Sequence, residues 1–181
     1  MNELFITATG MEGSGKSSLK EAATILWCTH KDMGDVLRSL AQENGLTLEQ
    51  LHQRMAHDIS WDEKLDEEVR VLPSRYPRLL LVSRTAWFLH PNSIKVFVTV
   101  DEEVGAGRVA RRQGITPEEA LSMNRERIAI DAKRYRKSPG IPTYPAPLEV
   151  FDIVIDTTNT PLGYLVKTLV EQVRVFPRNG R

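Results

Sequence analysis

The residues Gly10-Met11-Glu12-Gly13-Ser14-Gly15-Lys16-Ser17 fit the pattern G-x-x-x-x-G-K-[ST]. Glycines at these spacings let the backbone curl until successive N–H groups face one concavity, and a helix starting just afterwards aims its N-terminus at the same point. The chemistry implied is phosphate binding. Gly10, Gly13, Ser14, Gly15 and Ser18 would form the cradle, Lys16 would reach the β- and γ-phosphates of a nucleotide, and the Ser17 hydroxyl would ligate Mg²⁺.

Three further groups have the chemistry of an acceptor site. Arg38 follows Gly34 and Asp35, one turn into a helical pattern, and its guanidinium could fork a phosphate. Arg84 directly follows an apolar run, at the carboxyl end of a strand, where open α/β sheets bind ligands. Arg127, Asp131 and Arg134 stand at i, i+4 and i+7, so a helix lines them on one face. That triplet reads either as an ion-pair ladder or as a phosphate grip in which the carboxylate orients the arginines or accepts from a base amino group.

Net charge is balanced, with 24 Lys and Arg against 24 Asp and Glu, so no global field favours nucleic acid or an anionic membrane. Locally the balance fails. Between Val104 and Lys137 there are seven Arg and two Lys against Glu118, Glu119, Glu126 and Asp131. Such a run is either a solvated helical face or a site for multiply charged phosphates, and the glycine loop favours the second.

These residues need a scaffold. Five apolar runs read as parallel strands: Leu4 to Thr9, a short one at the end of Ile25 to Thr29, Leu79 to Val82, Ile94 to Val100, and Asp152 to Ile155. Helix signals lie between them. Leu37, Leu40 and Ala41 keep helical spacing as far as Gly45, and Thr47-Leu48-Glu49-Gln50 fits a capping box. Asp101-Glu102-Glu103 puts acids at a helix start, and Thr116-Pro117-Glu118-Glu119 combines an N-cap, Pro and Glu at their preferred positions. Pro161 opens the last helix. Alternating β and α segments predict an α/β fold of three layers, a five-stranded parallel sheet with helices on both faces. At 181 residues the chain is most simply one domain.

The glycine loop, Gly34 to Arg38, Ser83-Arg84 with Trp87, Arg108 with Arg111-Arg112, the Arg127…Asp131…Arg134 triplet with Tyr135-Arg136, and Asp152 to Thr157 occur in the order seen in cytidylate kinases. The chain resembles the archaeal-type, short-lid version of that family from Phe5 to about Val173. The resemblance implies a P-loop NTPase fold with a core of residues 1–31, 71–107 and 138–176, a helical monophosphate-binding insertion at about 32–70, and a lid at about 108–137. It implies phosphoryl transfer from ATP, with Mg²⁺, to CMP or dCMP. Arg38 and Arg127 would then hold the monophosphate, while Arg84, Asp131 and Arg134 would line the acceptor or the transfer path. Arg111 or Arg112 would sit on the lid over ATP, and Lys16, Arg84, Arg112 and Arg134 would act on the transferring group. A small-molecule enzyme of the cytoplasm, monomer or weak dimer, is the expectation, with no membrane or specific nucleic-acid partner.

Departures from the family pattern are local. Val82-Ser83-Arg84 lacks the glycine and nearby acid usual before the arginine, so a carboxylate for the Mg²⁺ shell is missing from that strand. Met33 stands where a small hydroxyl residue is found in bacterial relatives, and Glu12 adds a negative charge within the loop, its side chain expected to point outward. They leave two rival readings: a kinase for another small acceptor, or a nucleotide-binding regulatory protein. No Asn-Lys-x-Asp or D-x-x-G motif supports a switch GTPase. His30, His52, His57 and His90 show no ligand spacing beside the single Cys28, and Trp27, Trp61 and Trp87 are expected to pack in the core or against helices.

Overall fold

An apolar run such as Leu4-Phe5-Ile6-Thr7-Ala8-Thr9 needs a hydrogen-bonding partner on each edge and cover on each face. The computed structural model, which describes residues 3–58, 60–136 and 144–177, provides both. Strand β1 (Leu4–Gly10) is the central strand of a five-stranded parallel sheet, flanked by β3 (Arg78–Val82) and β4 (Ile94–Thr99). Beyond them lie β2 (Thr29–Asp32), outside β3, and β5 (Ile153–Asp156), outside β4. Ile6 pairs with Leu80 on one side and with Ile94 on the other.

Side chains alternate across the sheet and so build two cores. Ile6, Ala8, Leu80, Val96, Val98 and Ile155 face α1 (Leu19–Ile25) and α8 (Leu162–Val175), packing on Leu19, Ala22, Leu165 and Leu169. On the other face, Phe5, Leu79 and Leu81 meet Met33 of α2 (Met33–Glu43), Val69 and Leu72 of α4 (Ser60–Arg75), and Ala86 of α5 (Ala86–Leu89). Leu79, Leu80 and Leu81 are all fully buried, which is why β3 reads as an uninterrupted apolar run. Each contributes roughly 1.5–3 kcal/mol through burial.

Among the smaller cores, two lie between helices beside the sheet. Ala41 of α2, Leu51 and Met55 of α3 (Leu48–His57), and Trp61 and Leu65 of α4 form one. The other joins α6 (Glu102–Gln113) to α7 (Pro117–Tyr135) through Ala106, Val109, Ala110 and Ala120, and Arg125 forks onto Glu102 with both N–H···O distances at 2.8 Å. The helix starts follow the local chemistry of the sequence. Thr47 and Gln50 form the reciprocal capping box, as do Thr116 and Glu119, and the Asp101 side chain accepts from the amides of Glu103 and Val104.

Two expectations are corrected. The second strand does not lie at the end of Ile25 to Thr29: it begins at Thr29 and runs to Asp32. The apolar Ile25-Leu26 belongs to the end of α1, whose buried stripe claims Leu26, while the edge strand is the polar, half-exposed Thr29-His30-Lys31-Asp32. Trp27 is not a packing residue. It is 79% exposed and turns the chain between α1 and β2 with a φ of 56°. Trp87 is buried and Trp61 packs on the α2–α4 core. No helix among the described residues is long and apolar enough to cross a membrane.

After Gly10 the chain turns over the carboxyl end of β1 and presses against the first turn of α6. A Cβ on Gly13 would lie 2.2 Å from the Gly105 carbonyl oxygen, and one on Gly105 would lie 2.7 Å from that of Glu12. Backbone meets backbone there, so neither side can give. Gly105→Ala should therefore destabilise by about 1–3 kcal/mol through overpacking, lowering the thermal midpoint by several degrees. Gly107→Ala on the same helix meets nothing within 4 Å. By calorimetric melting it should be neutral or slightly stabilising, and equal effects of the two substitutions would contradict this packing.

Candidate active site

The chain leaves β1 for β2 on one side of the sheet and later builds β4 and β5 on the other, so the carboxyl end of β1 is a topological switch point. A cavity of about 540 Å³ opens there. One wall is the glycine loop, including Gly10, Glu12, Gly13, Gly15, Lys16 and Ser17. Facing it are Gly34 and Arg38 from α2, Arg84 after β3, Arg112 from α6 and Arg127 from α7.

The loop has the shape its glycines predict. Gly13 and Gly15 have φ of 76° and 88°, in the left-handed region that other residues avoid. The Lys16 ammonium donates to the carbonyls of Gly10 (2.8 Å) and Met11 (2.5 Å). Burial lowers its pKa to about 8, and Arg84 and Arg127 push the same way, while Glu12 and Asp32 oppose them. The back of the loop is tied down from afar. The Thr157 hydroxyl, just past β5, donates to the Ser14 carbonyl (3.0 Å), and Arg108 donates to Gly13 (3.2 Å) and to the Thr157 carbonyl (2.7 Å). Arg108 thus braces the loop from behind.

Glu12 is turned into the site, contrary to the outward orientation expected. Its Oε1 lies 3.2 Å from Arg84 Nη2 and 3.3 Å from Arg127 Nη1, and its side chain is 22% exposed. Burial alone would raise its pKa, but Lys16, Arg127, Arg84 and Arg112 together hold it at about 2. The carboxylate turns inward because four cations surround it. Sequence pattern could not show this, since the loop motif leaves that position open.

Asp131 also has a partner outside its own helix. It is buried and pairs with Arg84, so α7 and the β3 end are joined by an Asp131–Arg84–Glu12–Arg127 chain of charges. The Trp87 indole N–H donates to the Arg84 carbonyl (2.9 Å), fixing the backbone of that residue.

The structure brings together Lys16, Arg38, Arg84, Arg112 and Arg127 with Gly10, Gly13, Gly15, Ser17 and Gly34. Other candidates stand back from the wall. Ser14 is buried behind the loop, and Asp35 binds Arg38 on the outer side of α2. Ser18, Arg111 and Asp131 are not in the lining, and the Arg134 side chain lies outside the described residues.

Met33, already marked as a departure from the family pattern, and residues that were not site candidates complete the far wall. Met33, Leu37, Leu48, Leu65 and Val69 make it apolar, and His52, Asp62 and Asp66 make it polar at isolated points. Asp66 accepts from the Thr85 hydroxyl (2.9 Å), so a carboxylate does stand beside the β3 end, delivered by α4 instead of by the strand. Asp62 and Asp66 are one helical turn apart on α4, a spacing lost among the acids of Asp62-Glu63-Lys64-Leu65-Asp66-Glu67-Glu68.

The sequence profile described as "Cytidylate kinase-like family" matches residues 10–159. A cytidylate kinase of Haloarcula marismortui is 34% identical over 170 residues, 92% of this chain and 88% of that protein. Cytidylate kinases of Ignicoccus hospitalis and Pyrococcus furiosus are 33% and 31% identical, covering 91% and 94% of this chain and 95% and 90% of theirs. Among solved structures, the shikimate kinase of Bacteroides thetaiotaomicron superimposes with a TM-score of 0.62 at 16% identity over 95% of this chain and 99% of its own. That of Acinetobacter baumannii gives 0.63 at 15% identity, over 98% and 96% respectively. The fold is that of P-loop kinases.

The carboxylate network sets two expectations. Asp131→Ala leaves Arg84 without its buried partner and should destabilise by about 3 kcal/mol in urea unfolding. Glu12 has its pKa lowered in the folded chain, so its contribution is complete above about pH 4.5 and is lost as pH falls towards 2. It amounts to something on the order of 3 kcal/mol. Unfolding free energies measured between pH 5.5 and 3 should fall more steeply for the natural protein than for Glu12→Gln, and parallel curves would refute the assignment.

Proposed function

We infer the reaction from one premise: this chain belongs to the cytidylate kinase-like family. The protein phosphorylates a nucleoside monophosphate, CMP or dCMP, with ATP as donor. The observation that carries this reading is a single cavity with a phosphate loop on one wall and arginines from four other elements facing it. A protein that only binds ATP has no need of Arg38, Arg84 and Arg127 opposite the loop. Transfer of a phosphoryl group between two polyanions does.

The cationic residues then divide the work. The loop amides from Gly13 to Ser17, with Lys16, hold the β- and γ-phosphates of ATP. Arg38 and Arg127 hold the phosphate of the monophosphate, and Arg84 lies between the two, oriented by Asp131. The acceptor is already an anionic phosphate oxygen, so no general base is required, and the barrier falls through alignment and stabilisation of charge on the γ-phosphoryl group. Arg112, and Arg134 by its place on α7, serve that charge from the α6–α7 hairpin, which we read as the lid, with Arg111 nearer ATP. Closing such a lid keeps out water, which would otherwise accept the phosphoryl group. The apolar wall with His52, Asp62 and Asp66 takes the nucleoside.

The residues fit Mg²⁺. A hard cation takes oxygen donors and keeps several waters, and the Ser17 hydroxyl, Asp32 and Asp66 all line the cavity. The Ser17 hydroxyl would hold Mg²⁺, with Asp32 and Asp66 available to its water shell, and the ion would supply positive charge against the nucleotide phosphates. The enzyme is taken to act in the cytosol on small nucleotides, as a monomer or weak dimer.

Coupled measurement of ADP release with CMP, dCMP, UMP, AMP and shikimate as acceptors tests this reading. CMP or dCMP should give the highest kcat/KM. A preference for another acceptor would favour the rival kinase reading prompted by Met33, and ATP binding without turnover would favour a regulatory protein. Lys16→Ala should lower kcat by at least 100-fold, about 3 kcal/mol of barrier.

A further inference from the structure

The functional assignment leaves one charged side chain of the site without a task. Glu12 lies within the phosphate loop, and its carboxylate occupies the point on which Arg84 and Arg127 converge, with Lys16 and Arg112 acting on it through charge. These are the groups assigned above to phosphoryl oxygens. A carboxylate and a phosphoryl group offer a guanidinium the same anionic oxygen acceptors. Both cannot be held there at once, because a fixed carboxylate beside the γ-phosphoryl group would repel it.

We propose that Glu12 is a positioning residue that competes internally with the phosphoryl group: it holds Arg84 and Arg127 at the transfer point and yields them to the phosphates of the bound nucleotides. The exchange is geometrically simple. The Glu12 carbonyl is packed against Gly105, so the backbone of the residue is fixed, while rotation about the side-chain bonds can carry the carboxylate away without moving the loop. Arg84 keeps its second partner, Asp131, when Glu12 leaves, so it has one permanent and one exchangeable anion. The loop therefore binds a lone phosphate more weakly than its cations alone would allow. Ligands that bring several phosphoryl oxygens to the site at once displace Glu12 most readily, which favours the pair of substrates over either one.

This inference rests on the reading of the cavity as a phosphoryl-transfer site, and its test separates the two. Inorganic pyrophosphate, without metal, is titrated into the natural protein and Glu12→Gln at pH 6.5, where Lys16 is protonated. Removing the competing charge should tighten pyrophosphate binding about tenfold by calorimetry, and the thermal midpoint should rise more on addition of the anion. Without the anion, Glu12→Gln should melt lower than the natural protein, because the one carboxylate that acts on all four cations is then gone. In turnover, Glu12→Gln should lower both kcat and the KM for the acceptor, a split that mere loss of stability does not give. Glu12→Asp keeps the charge on a shorter reach and should fall between the two proteins, which keeps the test available if the glutamine variant does not fold. Equal or weaker pyrophosphate binding in both variants would overturn the competitor role and leave the kinase reading in place. Failure of pyrophosphate to bind any of the three proteins would overturn both.

Discussion

Like charges cannot be gathered in a partly buried cavity without counter-charge. Two unit charges 4 Å apart interact by about 4 kcal/mol at an effective dielectric constant of 20, and this site draws on Lys16, Arg38, Arg84, Arg112 and Arg127. A transferring phosphoryl group demands such a cluster, and the folded chain must tolerate it. The solution is distributed. Glu12 balances the centre, Asp131 takes one side of Arg84, Asp35 holds Arg38 on the outer face, and the carbonyls of Gly10 and Met11 receive the Lys16 ammonium. The pKa of Glu12, near 2, and that of Lys16, near 8, record the two sides of the same balance.

Distributing the charges also distributes the scaffold. Arg84 stands on the end of the most deeply buried strand, where its backbone is held by β3 and by the Trp87 indole. Arg38, Arg112 and Arg127 ride on helices with small cores of their own, the α2–α4 unit and the α6–α7 hairpin. One guanidinium therefore stands on the sheet itself, and the others stand on helices, of which α2 and α4 also give Met33, Val69 and Leu72 to the core of the sheet. Alignment of two substrates gains from such a common reference, because the phosphate loop and Arg84 both stand at the carboxyl end of neighbouring strands.

What the sequence disclosed divides along the same lines. Local patterns were legible: the loop between β1 and α1, the two capping boxes at Thr47 and Thr116, and the N-cap at Asp101 all depend on residues within four positions of one another. The alternation of strands and helices carried the fold class. Edge strand β2 was misplaced because an edge strand needs no apolar run, and the nearest one belonged to α1. Trp27 was expected to pack in the core or against a helix because its type favours burial, whereas its position is an exposed turn. At the site, Arg84 and Arg127 could be picked out by type and place, but the inward turn of Glu12 depends on cations 72 and 115 positions away in the chain. Asp66 was hidden for a related reason: its carboxylate reaches the end of β3 from a helix whose many acids look like a solvated face.

The brace behind the phosphate loop has a temporal side. Arg108 of α6 and Thr157 just past β5 hold Gly13 and Ser14, so the loop after β1 is braced by residues 95 and 143 positions later. Contacts of such sequence separation form late, because a long stretch of chain must first be closed. A chain emerging from the ribosome would have its glycines, Lys16 and first helix long before it had the clamp that shapes them. The clamp can thus close only once the segment beyond β5 is in place, and a half-folded molecule would hold its glycines and Lys16 without the brace that shapes them.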